Sequence, residues 1–441
     1  MSAVLTETNL FKPITIGNGI HLSHRIVHAP TSRSRSTNDG ENFPTDLMIK
    51  YYDSRSKFEY SLIVFESCLV SPRSGLVPFK SGVFTTEQCE ALKKITDKIH
   101  ENKSFVSCQI FSPGRVSNIQ LVKDKGLPYL APSVIYHAEG HKITAEELNY
   151  PLKELTINQI HDIQEDYVTA AVNCLTKGGF DLVELHGTSG FLIEQFLSPI
   201  SNTRNDEYGG NLENRCRFLI EIITKFIDHP QIGSSKFGIR LSAWSIHFGM
   251  NYPEDKYPIN DTYPPLLFCQ YILNHLEDLK KNGKEIAYVS IMEPRVSGSF
   301  DQDPDGKSNS SLVKAWSGKL IRAGGYATNY KGDPSILKSN NPNVKITKDG
   351  EVEHYSSLKQ DINADDRTLI AFARPFTSNP DLVHRLKNNL ELDLYERPFF
   401  YSHQLEGYLT FGNYVDENLY SNTLQFPIDE LKREGISLKS K

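Results

Sequence analysis

Short apolar runs recur along the whole chain, and segments with helical periodicity separate several of them. The run at 180–186 is typical, because it is largely apolar and flanked by glycines, as in a strand buried on both faces. Strands that alternate with helices favour βα units and a parallel sheet. There are eight such runs, the number that a (β/α)₈ TIM barrel of the α/β class requires. The predicted strands are 24–30, 62–67, 105–111, 180–186, 237–243, 286–292, 319–324 and 368–373.

Two predicted helices begin with a capping box, in which a threonine is followed three residues later by a glutamine. Thr85 with Gln88 and Thr156 with Gln159 have this pattern, and apolar residues with helical spacing follow each pair. A third apolar stripe falls within 218–226. The helix patterns and the strand patterns therefore both support the alternation of strands and helices.

Four long polar stretches rich in proline, glycine and asparagine interrupt the alternation near 113–155, 244–264, 298–310 and 326–366. Each comes after a predicted strand, and loops after strands lie on the catalytic face of a barrel. We therefore expect the insertions to form a lid or pocket wall at the C-terminal face. Since none is apolar enough for a core of its own, we predict a single domain over 1–441; two domains remain the alternative.

Composition limits the classes of function. A chain of 441 residues with 39% hydrophobic and 23% charged residues is typical of a globular protein, without a membrane span. The net charge is −6 and basic residues form no long runs, so a nucleic-acid partner is not expected. The expected partner is a small molecule.

The cysteines and the two ends of the chain favour the cytoplasm. Six cysteines are scattered without a C-x-x-C pair, which predicts neither a disulfide framework nor a metal site. The first residues lack the charged and apolar regions of a signal peptide, and the last three do not form a peroxisomal signal.

Two arginines lie at the ends of predicted strands, Arg240 in the fifth and Arg374 just after the eighth. A buried guanidinium needs an anionic partner, and a loop carboxylate is as good an explanation as a ligand for either arginine alone. Gly324 and Gly325 follow the seventh strand, where glycines let backbone N–H groups approach a phosphate. Ser378 is a plausible start for the following helix. Together these residues predict a phosphate pocket after strands seven and eight.

The stretch from His186 to Arg215, HGTSGFLIEQFLSPISNTRNDEYGGNLENR, resembles the signature of the old yellow enzyme family of flavin-dependent ene reductases. Four further segments resemble the family in the same order, so that the similarity covers nearly the whole chain apart from the insertions. The resemblance implies a barrel with non-covalent FMN, NADPH as the reductant, and an α,β-unsaturated carbonyl compound as the acceptor. The further segments lie at 10–17, 293–296, 321–324 and 378–382.

The resemblance assigns several residues to the flavin ring. Pro30 and Ser32 match positions that line the ring, and the Ser32 hydroxyl matches a donor, often threonine in the family, at the O4 and N5 edge. Gln109 matches the residue that hydrogen-bonds the pyrimidine end, and His186 is also among the cofactor-binding positions. Arg240 matches the cation beside N1 and O2, where the reduced ring accumulates negative charge.

The resemblance also assigns the phosphate site and the positions of close approach. Gly324, Gly325 and Arg374 match the phosphate cradle. Ser67 and Ala373 match positions where small residues let the backbone approach the flavin. The resemblance thus implies an intact cofactor site.

The substrate side departs from the family. Members usually bind the substrate carbonyl with a His/Asn or His/His pair, whereas this chain has His186 with Ser189, and a serine donates only one hydrogen bond. Phe191 stands where a tyrosine usually protonates the substrate, and loss of a general acid typically slows catalysis by about 10²–10⁴-fold. Tyr401 matches a tyrosine of the substrate pocket and is the leading substitute donor, although a packing role is the stronger expectation. Phe111 replaces a frequent tryptophan.

Three kinds of function follow from these residues. The leading hypothesis is an NAD(P)H oxidoreductase with FMN that reduces, or without its proton donor isomerises, an activated alkene, as a monomer or homodimer. The second is a flavin-binding protein with weakened catalysis. The third is a barrel enzyme without flavin, such as an aldolase.

Overall fold

Eight largely buried strands form the centre of the protein. The computed structural model describes residues 5–304, 306–327 and 355–414, together with the backbone of Lys345–Ile346 and Val352–Glu353. The strands are β1 (Ile26–His28), β2 (Leu62–Leu69), β3 (Phe105–Phe111), β4 (Leu182–His186), β5 (Phe237–Leu241), β6 (Tyr288–Met292), β7 (Leu320–Ala323) and β8 (Thr368–Phe372).

The strands close into a parallel barrel in which each strand pairs with the next in sequence and β8 pairs with β1. The predicted TIM barrel is therefore confirmed, and every strand lies in or at one of the predicted ranges. β1 is shorter than predicted by two residues at each end, and β2 extends beyond its predicted range, to Leu69 rather than residue 67. The register of β2 shifts between Phe65 and Cys68, and this bulge interrupts the regular pattern where the prediction ended.

A helix follows each strand on the outside of the barrel. The Thr85/Gln88 and Thr156/Gln159 capping boxes are both present at the starts of the second and third of these helices. The helices are α1 (Asp46–Arg55), α2 (Thr86–Glu101), α3 (Ile157–Thr176), α4 (Leu212–Asp228), α5 (Pro264–Lys281), α6 (Ser310–Ala315), α7 (Ser356–Ile362) and α8 (Leu382–Lys387).

Tyr288 packs inside the barrel among aliphatic side chains of the other strands. The ring of Tyr288 fills the space beside Gly238, where an added Cβ would lie 2.5 Å from a ring carbon. The Tyr288 hydroxyl lies 3.0 Å from Ser107 Oγ. An antiparallel hairpin, Ile14–Ile16 with Ile20–Leu22, packs on residues at the amino ends of the strands. The hairpin thus closes the end of the barrel opposite the carboxyl ends of the strands.

The first three predicted insertions contain short elements of their own, and the fourth, 326–366, lies largely outside the described residues. No helix in the described part of the chain is both long and apolar enough to cross a bilayer. The additional helices are Ile119–Asp124, Glu139–Glu147, Leu192–Leu197 and Arg374–Ser378, and the additional strand pairs are Leu130–Ala131 with Lys153–Glu154, Val296–Ser297 with Phe300–Asp301 and Lys345–Ile346 with Val352–Glu353. Single 3₁₀ turns lie at Leu5–Glu7, Asn9–Phe11, Pro72–Ser74, Gly114–Val116, Ser234–Lys236, His247–Gly249 and Arg397–Phe399.

The start of α8 differs from the prediction. Ser378 does not begin this helix; it ends the short helix Arg374–Ser378, and Asp381 is the residue that precedes Leu382 at the start of α8. The pattern of small polar residues is compatible with either position, because helix starts and turns use the same side chains.

Candidate active site

A cavity of about 620 Å³ lies at the carboxyl ends of the barrel strands. Its wall includes predicted flavin-site and substrate-site residues alike, and residues from three of the predicted insertions, among them His141, Phe248 and Phe300. The sequence-predicted residues in its wall are Pro30, Ser32, Ser67, Gln109, His186, Ser189, Phe191, Arg240, Ala373, Arg374 and Tyr401.

A second, smaller cavity of about 60 Å³ contains the remaining predicted residues, Gly324 and Gly325, and shares Arg240, Ala373 and Arg374 with the first. The structure therefore brings all the predicted site residues together. The two cavities meet at the arginines, so that a ligand with a ring in the larger and a phosphate in the smaller would fit their arrangement.

The sheet register places Arg240 next to His186, because β4 pairs with β5 at these two residues. Arg240 is 8% exposed, and its Nη1 has no hydrogen-bond partner among the described residues. Burial lowers the pKa of Arg240, and the carboxylate of Glu184 opposes that shift. Glu184 is itself buried and accepts a hydrogen bond from Gln109 Nε2 at 2.7 Å. A buried guanidinium with a free donor is suited to an electron-rich ligand.

Gly324 adopts φ 128° and Gly325 φ 69°, both in the region that favours glycine. A Cβ at Gly324 would lie 2.6 Å from Val296 Cγ2. Gly324 thus packs closely against Val296, and both residues line the small cavity.

Arg374 has a carboxylate partner, since its Nη1 lies 2.6 Å from Asp301 Oδ1. Asp301 also pairs with Arg397 at 2.6 Å and is half exposed. A loop carboxylate, the alternative partner for Arg374, therefore lies beside its guanidinium. A phosphate in the small cavity would compete with an exposed carboxylate for this guanidinium.

His186 is buried at the end of β4, and its Nδ1 has no hydrogen-bond partner among the described residues. Burial lowers the pKa of His186 well below 6.5, with the positive charges of Arg240 and Lys80 acting in the same direction. The imidazole is therefore neutral at physiological pH. A neutral imidazole can donate one hydrogen bond to a carbonyl oxygen.

Ser189 occupies a left-handed backbone conformation, with φ 64°, followed by Gly190 at φ 75°. The side chain of Glu194 holds this turn, because its Oε2 accepts the Gly190 N–H at 2.6 Å. Glu194 is buried, and burial raises its pKa to about 8. Gln195 donates from Nε2 to the Gly190 carbonyl at 2.8 Å. The orientation of Ser189 thus depends on two side chains of the following short helix.

Aromatic rings surround Phe191. Its ring centroid lies 4.6 Å from that of Phe111, 5.0 Å from that of His186 and 5.6 Å from that of Phe248. Tyr401 also lies in the cavity wall but is 53% exposed. The structure therefore places Tyr401 at the mouth of the cavity.

Sequence reasoning missed several residues of the wall, above all Lys80. Lys80 is 7% exposed, although a lysine beside proline, serine and glycine is typical of an exposed loop. His247 and Phe248 were also missed, because nothing in the second insertion indicates which of its side chains face the barrel.

Comparison with known proteins agrees with the site. The profile of the NADH:flavin oxidoreductase / NADH oxidase family matches residues 9–349. The chain is 37% identical over 409 residues to a probable NADPH dehydrogenase of Candida albicans, covering 92% of this chain and 91% of that protein. It is 36% identical over 419 residues to enoate reductase 1 of Kluyveromyces lactis, covering 93% and 96% respectively.

A crystal structure of Old Yellow Enzyme from a Pichia species superposes with a TM-score of 0.80 at 37% identity, covering 93% of this chain and 95% of that one. The chain belongs to the old yellow enzyme family. The prediction of an old yellow enzyme with non-covalent FMN and NADPH as its reductant is confirmed, and the hypothesis of a barrel enzyme without flavin is wrong.

The residues of this old yellow enzyme fit FMN. Arg240 presents a buried donor that has no hydrogen-bond partner among the described residues, and Gly324 and Gly325 line the small cavity without side chains that would fill it. Hydroxyl and amide groups of Ser32 and Gln109 line the larger cavity. An anionic, electron-rich cofactor requires hydrogen-bond donors, cations and a backbone that it can approach closely.

Proposed function

We propose that this old yellow enzyme reduces the activated C=C bond of an α,β-unsaturated carbonyl compound. The observation that carries the proposal is the buried, neutral His186, whose Nδ1 has no partner among the described residues and which lies beside Arg240 in the cavity wall. Bound FMN would supply the hydride chemistry, in which hydride would pass from NADPH to N5 and from N5 to the β-carbon of the alkene. The protein supplies the geometry around it.

His186 and Ser189 would bind the substrate carbonyl. A hydrogen bond to that oxygen makes the β-carbon electrophilic and stabilises the negative charge that develops on the oxygen during hydride addition. Serine offers one donor on a short side chain, so carbonyl binding rests mainly on His186. The relatives' printed names, NADPH dehydrogenase and enoate reductase, are consistent with this chemistry.

The flavin ring would be held by Arg240, Gln109, Ser32 and Pro30. Ser67 and Ala373 would allow close backbone approach, and Gly324, Gly325 and Arg374 would hold the phosphate. The matched positions and the two adjoining cavities support these assignments. We further propose one domain, a cytoplasmic location and a monomer or homodimer; sizing chromatography and a fluorescent fusion would check the last two.

The experiment is a spectrum of the purified protein before and after anaerobic NADPH, followed by a panel of enones with products identified by mass spectrometry. We expect yellow protein that bleaches, regains its colour with an enone and forms the saturated product. His186→Ala should keep FMN and its bleaching but lose most of the reoxidation by enone. The matched control is His21→Ala, an exposed histidine on the hairpin at the other end of the barrel. A His186→Ala variant as active as the His21→Ala variant would contradict the proposal.

Phe191 favours a second candidate, alkene isomerisation at the same site. Its ring lies among Phe111, His186 and Phe248, none of which carries a phenolic proton. Hydride added to the β-carbon without protonation of the α-carbon can return to FMN after rotation about the bond, which regenerates the alkene with changed geometry and no net consumption of NADPH. Rapid accumulation of saturated product by the pure enzyme would exclude this candidate, and bleaching with no turnover at all would favour the flavin-binding protein of weakened catalysis.

A further inference from the structure

Lys80 is a buried lysine whose backbone is fixed from several directions. Its carbonyl accepts a hydrogen bond from Asn42 Nδ2 at 2.8 Å, and the Asn42 carbonyl in turn accepts the Gly82 N–H at 2.8 Å. On the other side, the Phe79 N–H donates to the Thr37 carbonyl at 3.0 Å. These hydrogen bonds therefore hold the loop that carries Lys80 against the segment after β1, and they fix the backbone from which the Lys80 side chain extends.

The ammonium group of Lys80 contacts hydroxyls rather than a carboxylate. Its Nζ donates to Ser67 Oγ at 2.8 Å and also to Ser32 Oγ. Within the described residues, no carboxylate oxygen lies within 4.0 Å of this nitrogen. Since an ammonium has three N–H donors, these two bonds leave one donor. Buried lysines are normally paired with an anion, so this arrangement is costly unless a ligand completes it.

Glu66, the carboxylate that acts on Lys80 electrostatically, is already engaged. Its Oε2 accepts the Arg33 N–H at 3.3 Å, and its Oε1 accepts the Tyr52 hydroxyl at 3.4 Å. Burial lowers the pKa of Lys80, and the Glu66 charge opposes that shift. Glu66 thus favours the charged form of Lys80 from a distance without occupying its donors.

The two serines place this cation in the cavity wall. Ser67 belongs to the bulge of β2, which turns its side chain out of the regular strand pattern, and Ser32 follows β1. The Lys80 nitrogen lies 5.4 Å from the centre of the Phe111 ring, and all four side chains line the larger cavity. The positive charge therefore faces the space in which the FMN ring has to lie.

We propose that Lys80 is a second cation for FMN, acting at the ring edge next to Ser32 while Arg240 acts at the N1 and O2 edge. The inference rests on the placement of FMN given under the proposed function. Two-electron reduction adds negative charge to the ring, and a cation in a poorly solvated site stabilises the reduced form more than the oxidised form. Lys80 consequently raises the reduction potential of the bound FMN.

The test is the midpoint potential of bound FMN, measured anaerobically against a reference dye in the full-length protein. Lys80→Met removes the charge and keeps the length of the side chain, whereas Lys80→Arg keeps the charge. Lys93→Met is the matched control, because it removes the same charge from the exposed face of α2, where Lys93 pairs with Asp97. Lys80→Gln is the second neutral variant if the methionine variant does not fold.

We expect the neutral variants to bind reduced FMN more weakly relative to oxidised FMN by about tenfold, which lowers the potential by about 30 mV for a two-electron couple. Lys80→Arg and Lys93→Met should stay near the wild-type potential. An unchanged potential in Lys80→Met, or an equal fall in Lys93→Met, would overturn the inference. If Lys80→Met keeps the wild-type potential but no longer forms saturated product, the inference is overturned and Lys80 is instead a proton donor. Wild-type protein that does not retain FMN would refute the proposed function itself, a result separate from all of these.

Discussion

The ring of Phe191 lies edge to face against the imidazole of His186, with ring centroids 5.0 Å apart and an angle of 62° between the planes. One side chain is proposed to bind the substrate carbonyl, and the other stands where a proton donor is expected. Because they touch, a hydroxyl added to the Phe191 ring would enter the cavity close to the carbonyl-binding group.

Phe191→Tyr should therefore increase the rate at which saturated product forms. A general acid contributes about 10²–10⁴-fold, and we expect a gain within or below that range. The rate is measured by single-turnover reoxidation of reduced enzyme with an enone, with saturated product followed by mass spectrometry. Phe248→Tyr is the control, since it adds the same hydroxyl to a neighbouring ring 5.6 Å away. Equal rates in Phe191→Tyr and wild type would show that proton transfer does not limit this enzyme.

Ser189→Asn should strengthen carbonyl binding. Asparagine tolerates the left-handed backbone, here φ 64°, better than serine does. Its amide also extends farther and offers a second donor. One added hydrogen bond contributes about 1 kcal/mol, or roughly fivefold in affinity, so KM for a cyclic enone should fall by about that factor. Ser189→Ala should raise KM instead. If both variants leave KM unchanged, Ser189 does not contact the carbonyl.

Glu194 makes stability depend on pH. Burial raises its pKa to about 8 from 4.5, so the folded protein keeps a proton that the unfolded chain releases between these values. This contribution to stability is full below pH 4.5 and is lost as the pH rises towards 8, with a slope of about 1.4 kcal/mol per pH unit at most.

Glu194→Gln should remove this dependence, because glutamine resembles the protonated acid and can still accept the Gly190 N–H. The free energy of unfolding, measured by denaturant titration at pH 5 and pH 8, should fall less with pH in the variant than in wild type. Glu147→Gln, an exposed glutamate, serves as the control. Parallel pH profiles for wild type and Glu194→Gln would mean that Glu194 is ionised in the folded protein.

The barrel was predictable because it depends on local patterns. Runs of apolar residues mark strands buried on both faces, and the Thr85 and Thr156 capping boxes fix two helix starts within a few residues. The resemblance predicted which residues belong to the site. The fold predicted that they lie together, because strand ends in a closed parallel barrel meet at one face.

Long-range contacts could not be predicted. Lys80 enters the cavity because Asn42 holds its backbone and the β2 bulge presents Ser67, two contacts between distant parts of the chain. Asp301 reaches Arg374 across a separation of 73 residues. The perturbed pKa of Glu194 arises from burial, which the spacing of residues in the signature does not reveal.

Gly324→Ala should weaken the retention of FMN. Comparison with Gly283→Ala separates an effect on the proposed phosphate cradle from the effect of backbone strain. Gly324 and Gly283 both have positive φ, 128° and 77°, so alanine at either position costs about 1–3 kcal/mol of backbone strain. Only at Gly324 does the new Cβ meet neighbouring atoms, at 2.6 Å from Val296 Cγ2, while at Gly283 it meets nothing within 4 Å.

We expect both variants to lower Tm, but only Gly324→Ala to raise the Kd for FMN, by tenfold or more if about 1.4 kcal/mol of the clash is felt in binding. The Kd is measured by flavin fluorescence as FMN is added back to the apoprotein. Equal Kd values in the two variants would place the phosphate elsewhere, because Gly324 and Val296, the two residues that clash, both line the small cavity.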